Sequence, residues 1–192
     1  MRQKQFDEKE VLFKAVLTFW SQGYKATSLN TLLAEMGIRK QSLYDTFESK
    51  HELFMAALKY YHKNVLENNL EPLLTAPSPR KAIEEYFNQR IRDVDDPCII
   101  NGCLVTNSLT ELGEHHADVQ QQTRKSLEYI ESVFHRTVKR GQEMGEINSD
   151  LDAGHIAMVL LNNAQGLFVV SRSGVSVEKL SIIVSSFLKV LD

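Results

Sequence analysis

Apolar residues recur along this chain at intervals of three and four, the period of a helix face, and sustained alternation is scarce. The first stripe, Val11, Leu12, Ala15, Val16 and Phe19, widened by Phe13 and Trp20, predicts a helix over 7–22. Asp7, Glu8 and Glu10 fall in its first turn, where the helix dipole favours anions, and Gly23 ends it. Leu29, Leu32, Leu33 and Met36 mark a short second helix, with Thr27 or Ser28 as its cap and Gly37 as its stop. A third runs from about Arg39 to Phe47 and keeps only Leu43 and Phe47 apolar.

Ser49 can cap a fourth helix over about 50–71, which the stretch Pro72–Pro79 is expected to break. Further helices are expected at about 80–92, 102–112, 116–143, 151–172 and 177–191, with Asp150 and Ser176 capping the last two. All four prolines lie between 72 and 97, and strand signals are poor, with little sustained alternation to either side of the Asn101-Gly102 pair. The expected class is therefore all-α, with about nine helices and a change of organisation near 72–79.

The segment Thr27–Phe47 reads as helix, glycine turn, helix, the arrangement of a helix-turn-helix DNA reader. In such a unit the second helix enters the major groove and needs one apolar edge to dock and one polar face to read. Ile38, Leu43 and Phe47 supply the edge. Lys40, Gln41, Ser42, Tyr44 and Thr46 supply donors and acceptors. Glutamine matches adenine, and lysine or arginine reaches guanine or phosphate. Thr27 and Ser28 at one helix start, and Lys50 at another, suit phosphate.

Charge and composition narrow the reading without deciding it. With 192 residues, 43% of them hydrophobic, the chain can bury a core, and two cysteines do not make a disulfide scaffold. The net charge of −3 excludes a polycation, so any DNA contact must be local. Residues 1–55 carry eight Lys/Arg against seven Asp/Glu, and the remainder fourteen against eighteen. The start of the chain lacks an apolar signal core, and no stretch approaches ~18 uninterrupted apolar residues, so a cytoplasmic protein without a membrane span is expected.

Residues 11–58, above all GYKATSLNTLLAEMGIRKQSLYDTFESKHELFMAAL, resemble the N-terminal domain of TetR/AcrR-family transcriptional repressors. Lys40, Ser42, Leu43, Tyr44, Phe47, Ser49, Lys50 and Leu53 match that family's ordered pattern. Arg39 replaces its usual Ser or Thr, Gln41 its Gly or Pro, and Asp45 its His or aromatic residue. Gly102–Ser108 resembles, more loosely, a subgroup with a Gly-Cys-Leu-Val-x-Asn segment. The resemblance implies a homodimer on a palindromic operator in double-stranded DNA, released by a small-molecule effector and needing no cofactor. It divides the chain into a reader, 1–48, and an effector-binding and dimerising body, 49–192, with the fourth helix as lever. Gln41, Ser42, Asp45 and Thr46 are the candidates for base contacts, and Thr27, Ser28, Arg39, Lys40, Tyr44 and Lys50 complete the DNA-contacting set. The last two helices, about 151–191, are apolar on more than one face, and the second face needs a partner.

Other residues admit two readings. Cys103 is either a small buried hydrophobe or, at a helix start that favours thiolate, the sensor of a redox- or electrophile-responsive repressor, with Cys98 as resolving partner. Tyr86, Phe87 and Phe134 serve as core or line an effector pocket. Asn107, Asn162 and Gln165, which interrupt apolar stretches, are further candidates for the effector, a neighbouring helix or the dimer mate. Adjacent His115 and His116 point apart on a helix, with no cysteine or further histidine at ligand spacing, so no metal site is expected. Glu111 and Glu114 with the scattered histidines make no catalytic set, and no enzymatic activity is expected.

Overall fold

A computed structural model describes residues 6–92 and 101–192. Cys98 and the acidic run Asp93–Asp96 lie outside these residues. All regular structure described is helical. The helices are α1 (Glu8–Gln22), α2 (Leu29–Met36), α3 (Lys40–Phe47), α4 (Lys50–Tyr61), a π-helical turn (His62–Leu66), α5 (Glu67–Thr75), α6 (Pro79–Arg92), α7 (Leu104–Leu112), α8 (Ala117–Glu143), α9 (Ala153–Ser171) and α10 (Val177–Phe187), with a final 3-10 turn, Leu188–Leu191.

The chain divides into two compact units, 1–67 with 104–123, and 68–103 with 124–192. This division does not fall at 48/49, because α4 packs extensively on α1. Leu53, Phe54, Ala57 and Leu58 of α4 and Val16 and Phe19 of α1 are buried, and Phe19 meets Phe54 edge to face with centroids 5.0 Å apart. Trp20 closes the same core against Tyr61, centroids 5.2 Å apart. Burying side chains of this size contributes about 1.5–3 kcal/mol each.

In the second unit Phe87 stacks on Phe134, centroids 6.0 Å apart, and meets Phe187 edge to face. Pro72 does not break the chain there. It lies inside α5, its carbonyl accepting from Ala76 N at 3.0 Å. The break falls a turn later, where the Arg140 guanidinium donates to the carbonyls of Leu73, Leu74 and Ala76 and so satisfies the end of α5. Pro79 then takes the first position of α6, where its missing N–H costs nothing.

The cap of α9 is Asp152, not Asp150: its Oδ1 accepts from Gly154 N and His155 N. Ser176 caps α10 as expected. Helix α9 has 19 residues and a mean hydropathy of 1.3, long and apolar enough to cross a membrane despite its three amide side chains. It packs on α10 and buries Ile156, Ala157, Leu160, Ala164 and Leu167. The opposite face carries Met158, Val159 and Val169 at 49%, 38% and 61% exposure. Asn162 lies on this exposed face, so it does not interrupt a buried one within the protomer.

Candidate nucleic-acid interface

The candidate interface is built from three helices, two of them capped by serine side chains. Ser28, not Thr27, is the N-cap of α2, its Oγ accepting from Thr31 N at 3.0 Å. Gly37 ends α2 in the left-handed conformation, φ 68° and ψ 29°, which glycine adopts without cost. The turn then enters α3 at Arg39, whose side chain makes no cap hydrogen bond. Leu43 and Phe47 dock α3 into the core, with α3 packed on α4. Ser49 caps α4, accepting from Glu52 N at 3.0 Å.

That docking leaves a polar face on α3. Lys40, Gln41, Tyr44 and Asp45 are exposed, and Ser42 and Thr46 are half-buried at its margins. The face is partly organised before any ligand arrives. Gln41 Nε2 donates to Asp45 Oδ1 at 2.7 Å, so the pair points its remaining oxygens outward as acceptors. Adenine N6 and cytosine N4 are the matching base donors in the major groove. Lys40 Nζ lies 6.0 Å from the Tyr44 ring centroid, a loose cation–π pair.

Two candidate phosphate contacts sit elsewhere. Thr27 is fully buried, and its hydroxyl donates to Gly23 O at 2.5 Å. It therefore supports the turn between α1 and α2 and offers no side chain to a phosphate. Lys50 directs its ammonium inward, donating to Tyr24 O at 2.6 Å and lying 4.3 Å from the Tyr24 ring centroid. Burial lowers the Lys50 pKa, with Glu111 opposing the shift. Ser28 and Arg39 remain exposed.

Sequence reasoning missed what holds this turn. Glu111 of α7 accepts from Tyr24 N at 2.9 Å and from Lys25 N at 2.6 Å, a charge-assisted clamp on the chain entering α2. Beside it, His51 Nε2 lies 2.6 Å from Asp118 Oδ2, and the His51 ring stacks on His116 with centroids 4.9 Å apart. Burial first, then Asp118 and Glu111, raises the Tyr24 phenol pKa. The hydrogen bond from His51 holds the Asp118 carboxyl below its ordinary value. More than 60 residues separate these partners in sequence, and no local spacing announces them.

The effector candidates do not converge on one cavity. A cavity of about 480 Å³ opens between α5 and α6, walled by Pro72, Leu73, Ala76, Ala82 and Tyr86, with Asn69, Lys81, Glu85 and Gln89 as its polar groups. Of the candidates only Tyr86 lines it. Burial raises the Tyr86 pKa, and Arg90, whose guanidinium carbon lies 3.4 Å from the ring centroid, opposes this. Phe87 and Phe134 are fully buried core residues, and Cys103 is 3% exposed. Asn107 and Gln165 are half-buried, and Asn162 is exposed.

Comparison with known proteins agrees with this geometry. Residues 14–57 match the family described as bacterial regulatory proteins of the tetR family, and residues 79–180 match the tetracyclin repressor-like C-terminal domain. An uncharacterized HTH-type transcriptional regulator of Bacillus subtilis, YezE, is 31% identical over 192 residues, which cover 100% of this chain and 99% of that protein. The Escherichia coli transcriptional repressor ComR is 29% identical over 98% of this chain and 90% of its own. A cysteine mutant of the TetR family regulator CifR, solved in complex with 26-bp double-strand operator DNA, superimposes with a TM-score of 0.85 at 29% identity, with both chains covered completely. With its helix-turn-helix, its all-helical fold and matches over both halves, the chain belongs to the TetR family of DNA-binding transcriptional regulators.

Proposed function

We propose that this protein is a cytoplasmic, effector-responsive repressor that binds a palindromic operator as a homodimer. One observation carries the reading: α3 buries Leu43 and Phe47 while presenting Lys40, Gln41, Tyr44 and Asp45 on a glycine-turned frame. In this reading residues 1–48 supply the DNA contacts, with α4 as the support beneath them, and 49–192 bind the effector and dimerise. Two-fold symmetry sets half-site centres ~34–36 Å apart or a multiple. Release follows when an effector binds better to a conformation with the wrong reader spacing, by as much as its affinities for the two states differ. The cavity between α5 and α6 supports an effector with an apolar body and a polar end.

The test is selection of bound duplexes from random DNA at stated salt, followed by affinity measurement on the enriched sequence. An enriched palindrome is expected. No enrichment from folded protein, both as purified and after refolding to strip ligand, would sink the reading. On that operator Gln41→Ala is expected to weaken binding on the order of 100-fold, since a base contact contributes about 1–3 kcal/mol and is lost in both half-sites. Lys40→Ala should instead weaken all sequences alike and flatten the salt dependence by about one charge per subunit. If Gln41→Ala leaves sequence preference intact, base reading lies elsewhere on α3.

A filling substitution, Ala82→Trp, should abolish uptake of a small hydrophobic fluorescent dye by the α5–α6 cavity while leaving operator affinity unchanged. Undiminished dye binding would remove the cavity from the account. The burial of Cys103 favours its packing role over the redox reading. Cys103→Ser is accordingly expected to leave any response to oxidants unchanged.

A further inference from the structure

His51, His116 and Asp118 form a cluster that DNA reading does not use. A ring nitrogen or carboxylate oxygen from each lies within 4.8 Å of the others. Both imidazoles are half-buried and Asp118 is exposed, so the cluster opens to solvent on its carboxylate side. Its internal bonding is incomplete. His51 Nε2 is matched with Asp118, but His51 Nδ1 is buried without a hydrogen-bond partner. The two imidazoles stack face to face and do not hydrogen-bond to one another, and Nδ1 stays outside the ligand set.

We propose that His51, His116 and Asp118 bind a divalent transition-metal cation of the Zn²⁺ class, with a water in the fourth position. Two imidazoles and one carboxylate are a donor set that Zn²⁺, Co²⁺ and Ni²⁺ accept, whereas Mg²⁺ and Ca²⁺ call for oxygens throughout. The dimensions fit after small movements. Tetrahedral ligands at ~2.0–2.1 Å from the metal stand ~3.3 Å apart, so the His51–Asp118 pair must open by under ~1 Å and the wider pairs close by up to ~1.5 Å. Asp118, with half its side chain exposed, has room to make that adjustment. The cation takes the place of the proton between Nε2 and Oδ2, that proton passing to His51 Nδ1 or to solvent, and the carboxylates of Asp118 and Glu111 offset its charge against Lys50.

The location gives such a site a consequence. His51 is in the first turn of α4, one residue beyond Lys50, and Asp118 is in the first turn of α8. The Tyr24 ring packs against both histidines, and its main chain is held by Glu111 and Lys50. A bound cation therefore fastens α4 to the start of α8 beside the turn that leads into α2.

The experiment is titration of Co²⁺ into the chelator-stripped full-length protein. The expected result is one ion per chain with the intense visible bands of low-coordinate cobalt, displaced by Zn²⁺. Asp118→Asn and His116→Gln should each weaken Zn²⁺ binding by about 100-fold or more, because even second-shell losses cost about 10–100-fold. His115→Ala, the exposed neighbour, should leave affinity unchanged. Helix content and melting temperature report whether each variant is folded. A weak six-coordinate spectrum overturns the proposal. So does unchanged affinity in folded Asp118→Asn, or an equal loss in His115→Ala.

Discussion

Gly23→Ala is expected to lower the melting temperature by roughly 6–12 °C, as a loss of about 3 kcal/mol does in a chain of this length. Gly23 has φ 79° and ψ 167°, a region that essentially only glycine occupies and that costs about 1–3 kcal/mol to enforce on another residue. An added Cβ would also stand 3.1 Å from Glu111 Oε2, the oxygen that accepts from Tyr24 N. To make room, Glu111 must move by a few tenths of an ångström, which strains its hold on Tyr24 and Lys25. Hydrogen bonds to a charged acceptor contribute about 1.5–3 kcal/mol each, and the two costs overlap because one movement relieves both. Gly37→Ala supplies the comparison. Its φ of 68° is also positive, but nothing lies within 4 Å of its added Cβ, so only the left-handed penalty of about 1–2 kcal/mol applies. Thermal unfolding of the two variants side by side decides the matter. If Gly23→Ala melts no lower than Gly37→Ala, Glu111 is not a clamp. Glu111→Gln, which can accept only one of the two N–H groups through its carbonyl, should fall between them.

Residues that act within their own turn were the legible part of this fold. Ser28, Ser49 and Ser176 cap their helices and Gly23 and Gly37 end theirs, because each choice is made by backbone groups three or four residues away. The i, i+4 pair Leu43 and Phe47 showed which side of α3 is buried, and the remaining positions of that helix followed. Reading failed where a distant partner decides. Pro72 was a plausible break until the Arg140 guanidinium, 68 residues on, satisfied the carbonyls beyond it. Thr27 was as good a cap as Ser28 by type, but its hydroxyl turned back to Gly23 O and the side chain was buried. His116 showed no partner at ligand spacing, because the ligand-like groups it meets are on α4 and at the start of α8. Tyr86 and Phe87 on α6 and Phe134 on α8 are alike in sequence as buried-face aromatics, and only the cavity walls separate the residue that lines a pocket from the two that fill the core.

Introducing a charge on the outer face of α9, with Met158→Glu or Val169→Glu, is expected to convert the proposed homodimer into monomer at micromolar concentration. In the protomer Met158 and Val169 project from the side of α9 opposite Ile156, Leu160 and Ala164. Asn162 and the small Gly166 lie on the same exposed side, and an added Cβ at Gly166 meets nothing within 4 Å. Helix α10 adds Ile183, 39% exposed. Such a surface is consistent with close approach of a second α9–α10 pair. Each valine or methionine removed from water contributes about 1.5–3 kcal/mol, and a two-fold axis counts it twice. A glutamate there forfeits that burial in both protomers and adds the desolvation of two carboxylates, several kcal/mol each without partners. The expected rise in dissociation constant is therefore on the order of 1,000-fold or more, since about 1.4 kcal/mol corresponds to tenfold. Because the substituted positions are about half exposed or more within one chain, the melting temperature at monomeric dilution should hardly change, which separates lost association from lost folding. Sedimentation velocity reads the oligomer, and the selected operator reads the consequence, since a monomer engages one half-site only. If Val169→Glu remains dimeric and keeps its operator affinity, the two-fold contact lies on another face and α9 owes its outer apolar residues to something else.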